Sequence, residues 1–369
     1  MRIFHFYKTY YPDSYGGIEQ VIYQLTEGND ASDIQSAVLS LSLDPNNNSV
    51  EFSHSESVKA KELINIASTP FSLDALSKFR HMAAQADIIH YHFPYPFMDM
   101  VHFMSGVRKP TVVSYHSDIL KQKYWLKLYQ PLMKRFLGSV THIVATSPNY
   151  FATSPVLQAF RDKVSVIPIG IDPEPYLLID EQRLLSWQEK LPPRFFLFIG
   201  ALRYYKGLDT LLEAMRSDNM PVVIMGSGPN EAHLKRRAEQ AGITHIHFLG
   251  PLANEDKCAL LKLSYGIVFP SHLRTEAFGI TLLEGALFGK PLITCEIGTG
   301  TTFINLHQQT GLAIPPSDPP ALREAMRSLW DNPALAASYG AAAQRRFYAL
   351  FTAKKMTQQF DALYRSMLA

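Results

Sequence analysis

Phe195-Phe-Leu-Phe-Ile199-Gly-Ala-Leu-Arg203-Tyr-Tyr-Lys206-Gly207, running into Leu208-Asp-Thr-Leu211-Leu212-Glu-Ala-Met215, is the stretch that decides the architecture. Five consecutive apolar residues without polar alternation predict a strand buried on both faces. Leu208, Leu211, Leu212 and Met215 then recur at helical spacing. A buried strand, a short polar loop and a helix form part of a βαβ unit, whose sheet is parallel. The unit recurs downstream. Strands expected at 221–225, 245–248, 266–269 and 291–294 alternate with helical patterns such as 231–241 and 319–330. It also recurs upstream, with strands expected at 2–6, 36–41, 87–90, 111–115, 142–146 and 164–167, and helices at 18–27 and 72–86.

Between the two series lies Pro168-Ile-Gly-Ile-Asp-Pro-Glu-Pro175, a Pro- and Gly-rich linker. The chain therefore reads as α/β, with two doubly wound, Rossmann-like parallel-sheet domains. The expected boundaries are 1–172, 173–350 and a C-terminal helix, 351–369, crossing back to the first domain. Two such domains are expected to face each other across a cleft, with ligands at the carboxyl ends of the strands.

The 369 residues are 47% hydrophobic and 18% charged, enough to fill two cores. The net charge of +2 argues against nucleic-acid binding, which calls for a strong basic excess or patch. No apolar run reaches the roughly 18–20 residues of a membrane-spanning helix. Met1-Arg-Ile-Phe-His-Phe6 reads as a buried first strand rather than a secretory leader. Cys258 and Cys295 match no metal or redox spacing and are expected to be reduced, buried thiols. These features point to a cytoplasmic protein.

Candidate chemistry sits in the loops after strands. Arg203 and Lys206 bring a forked guanidinium and a compact ammonium to one strand end, which suits a diphosphate. A solvated loop with surface charges is the other reading of this motif taken alone. The strand ending at Phe269 is followed by Glu276-Ala-Phe278-Gly279-Ile280-Thr-Leu-Leu-Glu284. A helix starting near Gly279 offers free backbone N–H groups to an anion. Glu276, in the loop, and Glu284, a turn into the helix, can each accept from sugar hydroxyls. Glu284 is equally readable as a helix glutamate favoured by the dipole. His116 follows the strand Thr111–Tyr115 and reads either as a site residue or as a structural histidine, and Asp118 is placed to orient or neutralise it. His90 and His92 either serve an acceptor or pack.

The run Glu276-Ala-Phe-Gly-Ile-Thr-Leu-Leu-Glu284 resembles the signature of the retaining glycosyltransferases of family 4, which have the GT-B fold. Gly200…Arg203…Lys206-Gly207 is similar to their diphosphate motif, and Gly16-Gly17-Ile18-Glu19 to their N-terminal glycine loop. The resemblance implies that Arg203 and Lys206 hold the donor diphosphate and that Glu276 binds hydroxyls of the transferred sugar. It further implies that Phe278, Gly279 and Ile280 line the sugar and phosphate pocket and that Glu284 binds the ribose. Gly16 and Gly17 are expected to approach the phosphates, and His116 to contact the donor sugar near the reacting carbon. His116 and Glu276 are thus the expected catalytic residues. Replacing Glu276 or Lys206 by alanine is expected to abolish transfer and leave the fold intact.

The run Cys295-Glu-Ile-Gly-Thr-Gly-Thr-Thr-Phe-Ile-Asn305 looks like bacterial mannosyltransferases of surface-polysaccharide (O-antigen, lipopolysaccharide) assembly, which use GDP-mannose. The resemblance implies an α-mannosyltransferase acting on a glycan acceptor that is lipid-linked. A UDP-sugar donor and a non-catalytic nucleotide-sugar-binding protein are the alternatives. With no Asp-x-Asp motif and two cations at the diphosphate, neither a cofactor nor a metal is expected. A nicotinamide enzyme is disfavoured, because Gly298-Thr-Gly300 and Gly16-Gly17 lack the required glycine spacing. Finally, 121–136 holds Lys121, Lys123, Lys127, Lys134 and Arg135, with Trp125, Leu128, Tyr129 and Leu132 on an apolar arc. It reads either as a helix packed on its own domain, kinked at Pro131, or as a peripheral contact with an anionic membrane.

Overall fold

The computed structural model describes residues 1–28, 33–46, 49–66, 68–119 and 123–369, with the backbone alone described at 123–126. The chain divides into two compact units. One comprises Met1–Ile171 with Ala353–Ala369, the other Asp172–Thr352.

In the first unit the strands are β1 (Arg2–Phe6), β2 (Gln35–Ser42), β3 (Ser55–Lys61), β4 (Ile64–Ile66), β5 (Thr69–Phe71), β6 (Ile88–Phe93), β7 (Thr111–Tyr115), β8 (His142–Ala145) and β9 (Val164–Val166). Seven of them form one parallel sheet in the order β3-β2-β1-β6-β7-β8-β9, while β4 and β5 pair as an antiparallel hairpin. All residues of β6 and β7 are buried, as expected for a sheet covered on both faces. Ser-Glu-Ser-Val-Lys-Ala-Lys of β3 escapes a search for apolar runs because an edge strand needs no second apolar face. The hairpin was likewise absent from the sequence expectation. The helix Ala353–Leu368 belongs to this unit. Ala353 N donates to Ile171 O at 2.9 Å, and Met356, Phe360 and Tyr364 are buried.

The second unit holds β10 (Phe196–Ile199), β11 (Val222–Met225), β12 (Ile246–Gly250), β13 (Gly266–Phe269), β14 (Leu292–Cys295) and β15 (Gly311–Ile314). They form a parallel sheet in the order β12-β11-β10-β13-β14-β15. The helix Leu208–Met215 places Leu208, Leu211, Leu212 and Met215 in the core, as their spacing predicts. Strand β15, which begins at a glycine, was not expected from the sequence. Both cysteines are free and buried.

Candidate functional site

Strand order brings two distant loops together. In the second unit the sheet grows outward in both directions from the β10/β13 pair, the strand-order switch at whose carboxyl ends such sheets hold their ligands, and the loops after these two strands lie side by side there. Arg203 and Lys206 follow β10, and Glu276 follows β13. Lys206 Nζ donates to Glu276 Oε2 at 2.5 Å across 70 residues of sequence, and both side chains keep only about a tenth of their exposure (11% and 12%). Ser271 Oγ donates to the same oxygen at 3.2 Å. The ammonium also lies 4.7 Å from the centre of the Phe269 ring.

The backbone locks the loops against each other. His272 N donates to Tyr205 O at 3.0 Å. Gly207 has φ +71, and a Cβ there would lie 1.9 Å from Pro270 O. Only glycine meets both the conformation and the approach. Arg203 is exposed and has no ion-pair partner among the described residues. One cation thus meets the carboxylate, and a second, exposed and uncommitted, stands three residues before Lys206 on the same loop.

The helix Ile280–Leu287 begins at Gly279, which has φ +95 and supplies no side-chain cap. Phe278 and Gly279 are buried, and Ile280 starts the helix. Thr281 Oγ1 donates to Ile199 O at 3.3 Å, tying the helix start to the end of β10. Glu284, the fifth helical residue, is held by specific partners rather than by the dipole alone. Lys257 Nζ donates to its Oε1 at 2.6 Å and Tyr176 Oη to the same oxygen at 2.9 Å. Oε2 has no hydrogen-bond partner among the described residues, and the side chain keeps 5% of its exposure. Lys257 also lies 4.9 Å from the centre of the Tyr176 ring. Sequence reading missed both residues. Lys257 lies on an unremarkable helix (Asn254–Leu263), and Tyr176 follows the linker.

In the first unit the order reverses between β1 and β6. The loop after β1 leads to Gly16, which caps the helix Gly17–Glu27 in ordinary extended backbone (φ −79). A Cβ on Gly16 would lie 2.5 Å from Glu19 Oε2, so here the close approach is made by the chain's own carboxylate. Glu19 is buried and accepts from Thr9 Oγ1 at 2.6 Å.

His116 follows β7, with its backbone N donating to Phe93 O at 3.0 Å. Its Nε2 lies 3.1 Å from His92 Nδ1. Asp118, expected to orient it, accepts instead from Tyr115 Oη at 2.8 Å and Ser154 Oγ at 2.7 Å. Behind His92 stands His5, unrecognised in the sequence, with Nδ1 3.1 Å from His92 Nε2. The register places His5 beside His90 and His92 beside Ser114, so alternate residues of three adjacent strands line one face. His90 packs there, 2.7 Å from Tyr364 Oη through Nδ1 and 2.8 Å from Ser114 Oγ through Nε2. Burial lowers His5 and His116 to about 3 and holds His90 and His92 well below the ordinary value, so all four are neutral near pH 7.

His5, His90 and His92 each bring a nitrogen within 4.8 Å of the others. A metal needs ring lone pairs that converge in the ring planes. The His90 and His92 rings stack at 4.5 Å and 22°, which sets their lone pairs side by side. Both His90 nitrogens are already engaged. The trio is a hydrogen-bonded core rather than a metal cage.

Two further segments were singled out in the sequence. Asn305, in the glycine-threonine run, is a buried hub. Its amide nitrogen donates to Leu292 O, Thr294 Oγ1 and Leu312 O. In the basic segment, one helix, Lys123–Ser139, runs through Pro131 without ending there. It buries Met133, Phe136 and Leu137, and Tyr129 Oη donates to Asp99 Oδ2. Lys127, Leu128, Lys134 and Arg135 stay exposed. Lys121 lies outside the described residues, as do the side chains of Lys123 and Trp125. Among the described residues no helix is long and apolar enough to cross a membrane.

Two Rossmann-like parallel sheets, one in each unit, define the class of fold. Residues 15–175 match the family described as Glycosyltransferase Family 4, and 182–346 match Glycosyl transferases group 1. A D-rhamnosyltransferase of Pseudomonas aeruginosa is 55% identical over 96% of this chain and 93% of its own. An O-antigen chain mannosyltransferase of Escherichia coli is 52% identical over 100% of this chain and 99% of its own. Sucrose-phosphate synthase from Thermosynechococcus elongatus superposes with a TM-score of 0.80 at 21% identity, covering 100% of this chain and 99% of its own. The chain belongs to the family-4 glycosyltransferases, with their GT-B fold, and is a glycosyltransferase.

Proposed function

We propose that this enzyme transfers mannose from GDP-mannose, with retention, to a lipid-linked glycan in O-antigen synthesis. The observation that carries the reading is the meeting of Lys206 and Glu276 at the carboxyl ends of β10 and β13, with Arg203 exposed on the same loop as Lys206. Arg203 and Lys206 hold the donor diphosphate and offset the charge that grows on it as the glycosidic bond breaks. Glu276 accepts from hydroxyls of the transferred sugar, and Phe278, Gly279 and Ile280 line its pocket. Glu284, steadied through Oε1, offers Oε2 to the ribose. Gly16 and Gly17 approach the phosphates, and His116 meets the sugar near its reacting carbon. The departing phosphate takes the acceptor proton on the face it leaves, which gives retention. Two side-chain cations serve the diphosphate, so the reaction runs without a metal.

The sugar rests on the relatives. One is named for mannose and the other for D-rhamnose, which is 6-deoxy-D-mannose. Both share the manno configuration at C2, and this chain matches the mannosyltransferase over its whole length. The test is a thermal-shift screen with GDP, UDP, ADP and their sugars, with and without EDTA. Transfer assays with GDP-mannose and its 6-deoxy counterpart then follow. Stabilisation by guanine nucleotides alone, unaffected by EDTA, and turnover of GDP-mannose are expected. Preference for the 6-deoxy donor replaces mannose by rhamnose, stabilisation by UDP overturns the base, and no response to any nucleotide removes the site.

The exposed Lys127, Leu128, Lys134 and Arg135 support peripheral contact with the cytoplasmic membrane face. Flotation with anionic liposomes at low and high salt tests it, and no binding at low salt refutes it.

A further inference from the structure

We propose that His5 and His92 set the tautomer of His116, as positioning residues behind it. This rests on the reading of His116 as the group that meets the transferred sugar.

The geometry is that of a ribbon. His5 and His92 ring centres lie 5.4 Å apart with planes inclined 22°, and His92 and His116 lie 5.4 Å apart at 13°. Each separation equals the 3.1 Å nitrogen–nitrogen distance plus about two ring radii, so the nitrogens lie on the lines joining the centres. The three rings are linked edge to edge and nearly coplanar, which aims each N–H along its partner's lone pair. None of the three is more than 6% exposed. His90 stacks on His92 but spends both of its nitrogens on Tyr364 and Ser114, outside the ribbon.

A neutral imidazole carries one N–H and one bare nitrogen. His92 uses both nitrogens in the ribbon, so its two hydrogen bonds must point the same way. Either all three rings carry hydrogen on Nδ1, or all three carry it on Nε2. Nδ1 of His116 is the atom the ribbon leaves over. It is a donor in the first state and an acceptor in the second, and His5 at the far end switches with it. A mixture of the two would present the sugar with the wrong partner part of the time. The two hydrogen bonds make the three buried rings switch as one, so the choice at His116 is shared with His92 and His5.

The experiment is nitrogen-15 NMR of histidine-labelled full-length enzyme, with steady-state kinetics on the same samples. The variants are His5→Phe and His92→Phe, with Tyr364→Phe as the control, since it removes a buried hydrogen bond of His90 and leaves the ribbon whole. The wild type is expected to show one tautomer at His116. Both ribbon variants are expected to show averaged His116 resonances and about tenfold lower kcat at an unchanged donor KM, comparable to losing an outer partner that orients a site histidine. Tyr364→Phe is expected to keep both wild-type signatures. Should His92→Phe fail to fold, His5→Phe carries the test, because it cuts the ribbon one ring further from His116. An unchanged His116 tautomer in a folded ribbon variant overturns the proposal. Averaged resonances with full kcat uphold the coupling and remove His116 from the reaction.

Discussion

Replacing Lys206 by methionine should cost stability as well as activity, because the ammonium already has a carboxylate to neutralise. Lys206 Nζ and Glu276 Oε2 are 2.5 Å apart, with 11% and 12% of the side chains exposed. Removing one partner of a buried pair costs roughly 3–5 kcal/mol, mostly for the charge left behind. Ser271 still donates to Glu276 Oε2, and the site keeps some solvent, which reduces the expected loss to about 2 kcal/mol. For a unit of this size that is a fall in Tm of about 4–8 °C. Glu276→Gln should cost a similar amount by stranding the ammonium. The double variant removes both charges and should lose much less than the sum, leaving a coupling of about 2 kcal/mol. Urea unfolding of the wild type and the three variants gives the cycle, and donor turnover on the same samples should be abolished in all three. Additive losses, or single variants as stable as wild type, would show that the ion pair is not formed in the free enzyme. Turnover near the wild-type rate would remove the residue concerned from the mechanism. The expectation that such replacements leave the fold intact thus acquires a stated cost.

Tyr176→Phe should weaken donor binding by about 1 kcal/mol, near fivefold in donor KM with kcat kept, because Glu284 Oε1 loses one of two donors. Calorimetric titration with the nucleoside diphosphate checks it, and unchanged affinity would separate Glu284 from the ribose. Gly207→Ala should destabilise the second unit by at least about 1–3 kcal/mol in urea, since the φ of +71 is strained for alanine and its Cβ would enter Pro270 O. Acid should destabilise the first unit. His5 and His116 titrate near 3 and His102 near 4 when folded, against 6.5 when unfolded, all lowered by burial. Below 6.5 the unfolded chain takes protons that the folded one refuses, so this stability is present above 6.5 and is lost as pH falls towards 3–4. Each histidine contributes about 1.4 kcal/mol per pH unit, near 2 kcal/mol by pH 5. Melts that are flat between pH 7 and 5 would contradict it.

The sequence by itself determined the elements and the residue types at their ends. Continuous apolar runs marked β10, β11 and β13, because a strand buried on both faces needs no polar residue. The spacing of Leu208 to Met215 gave its helix, and local motifs marked Arg203, Lys206, Glu276 and Glu284. The edge strand β3 and the short hairpin escaped, since one is half-polar and the other only three residues a side. Tertiary structure alone decided who meets whom. Pairing of β10 with β13 carries Glu276 to Lys206 across 70 residues, and packing brings Lys257 and Tyr176 to one oxygen of Glu284. Parallel register sets His5, His92 and His116 on one face. Such contacts leave no mark in spacing along the chain, because strand order and register arise from how whole faces are buried, not from any one neighbourhood of residues.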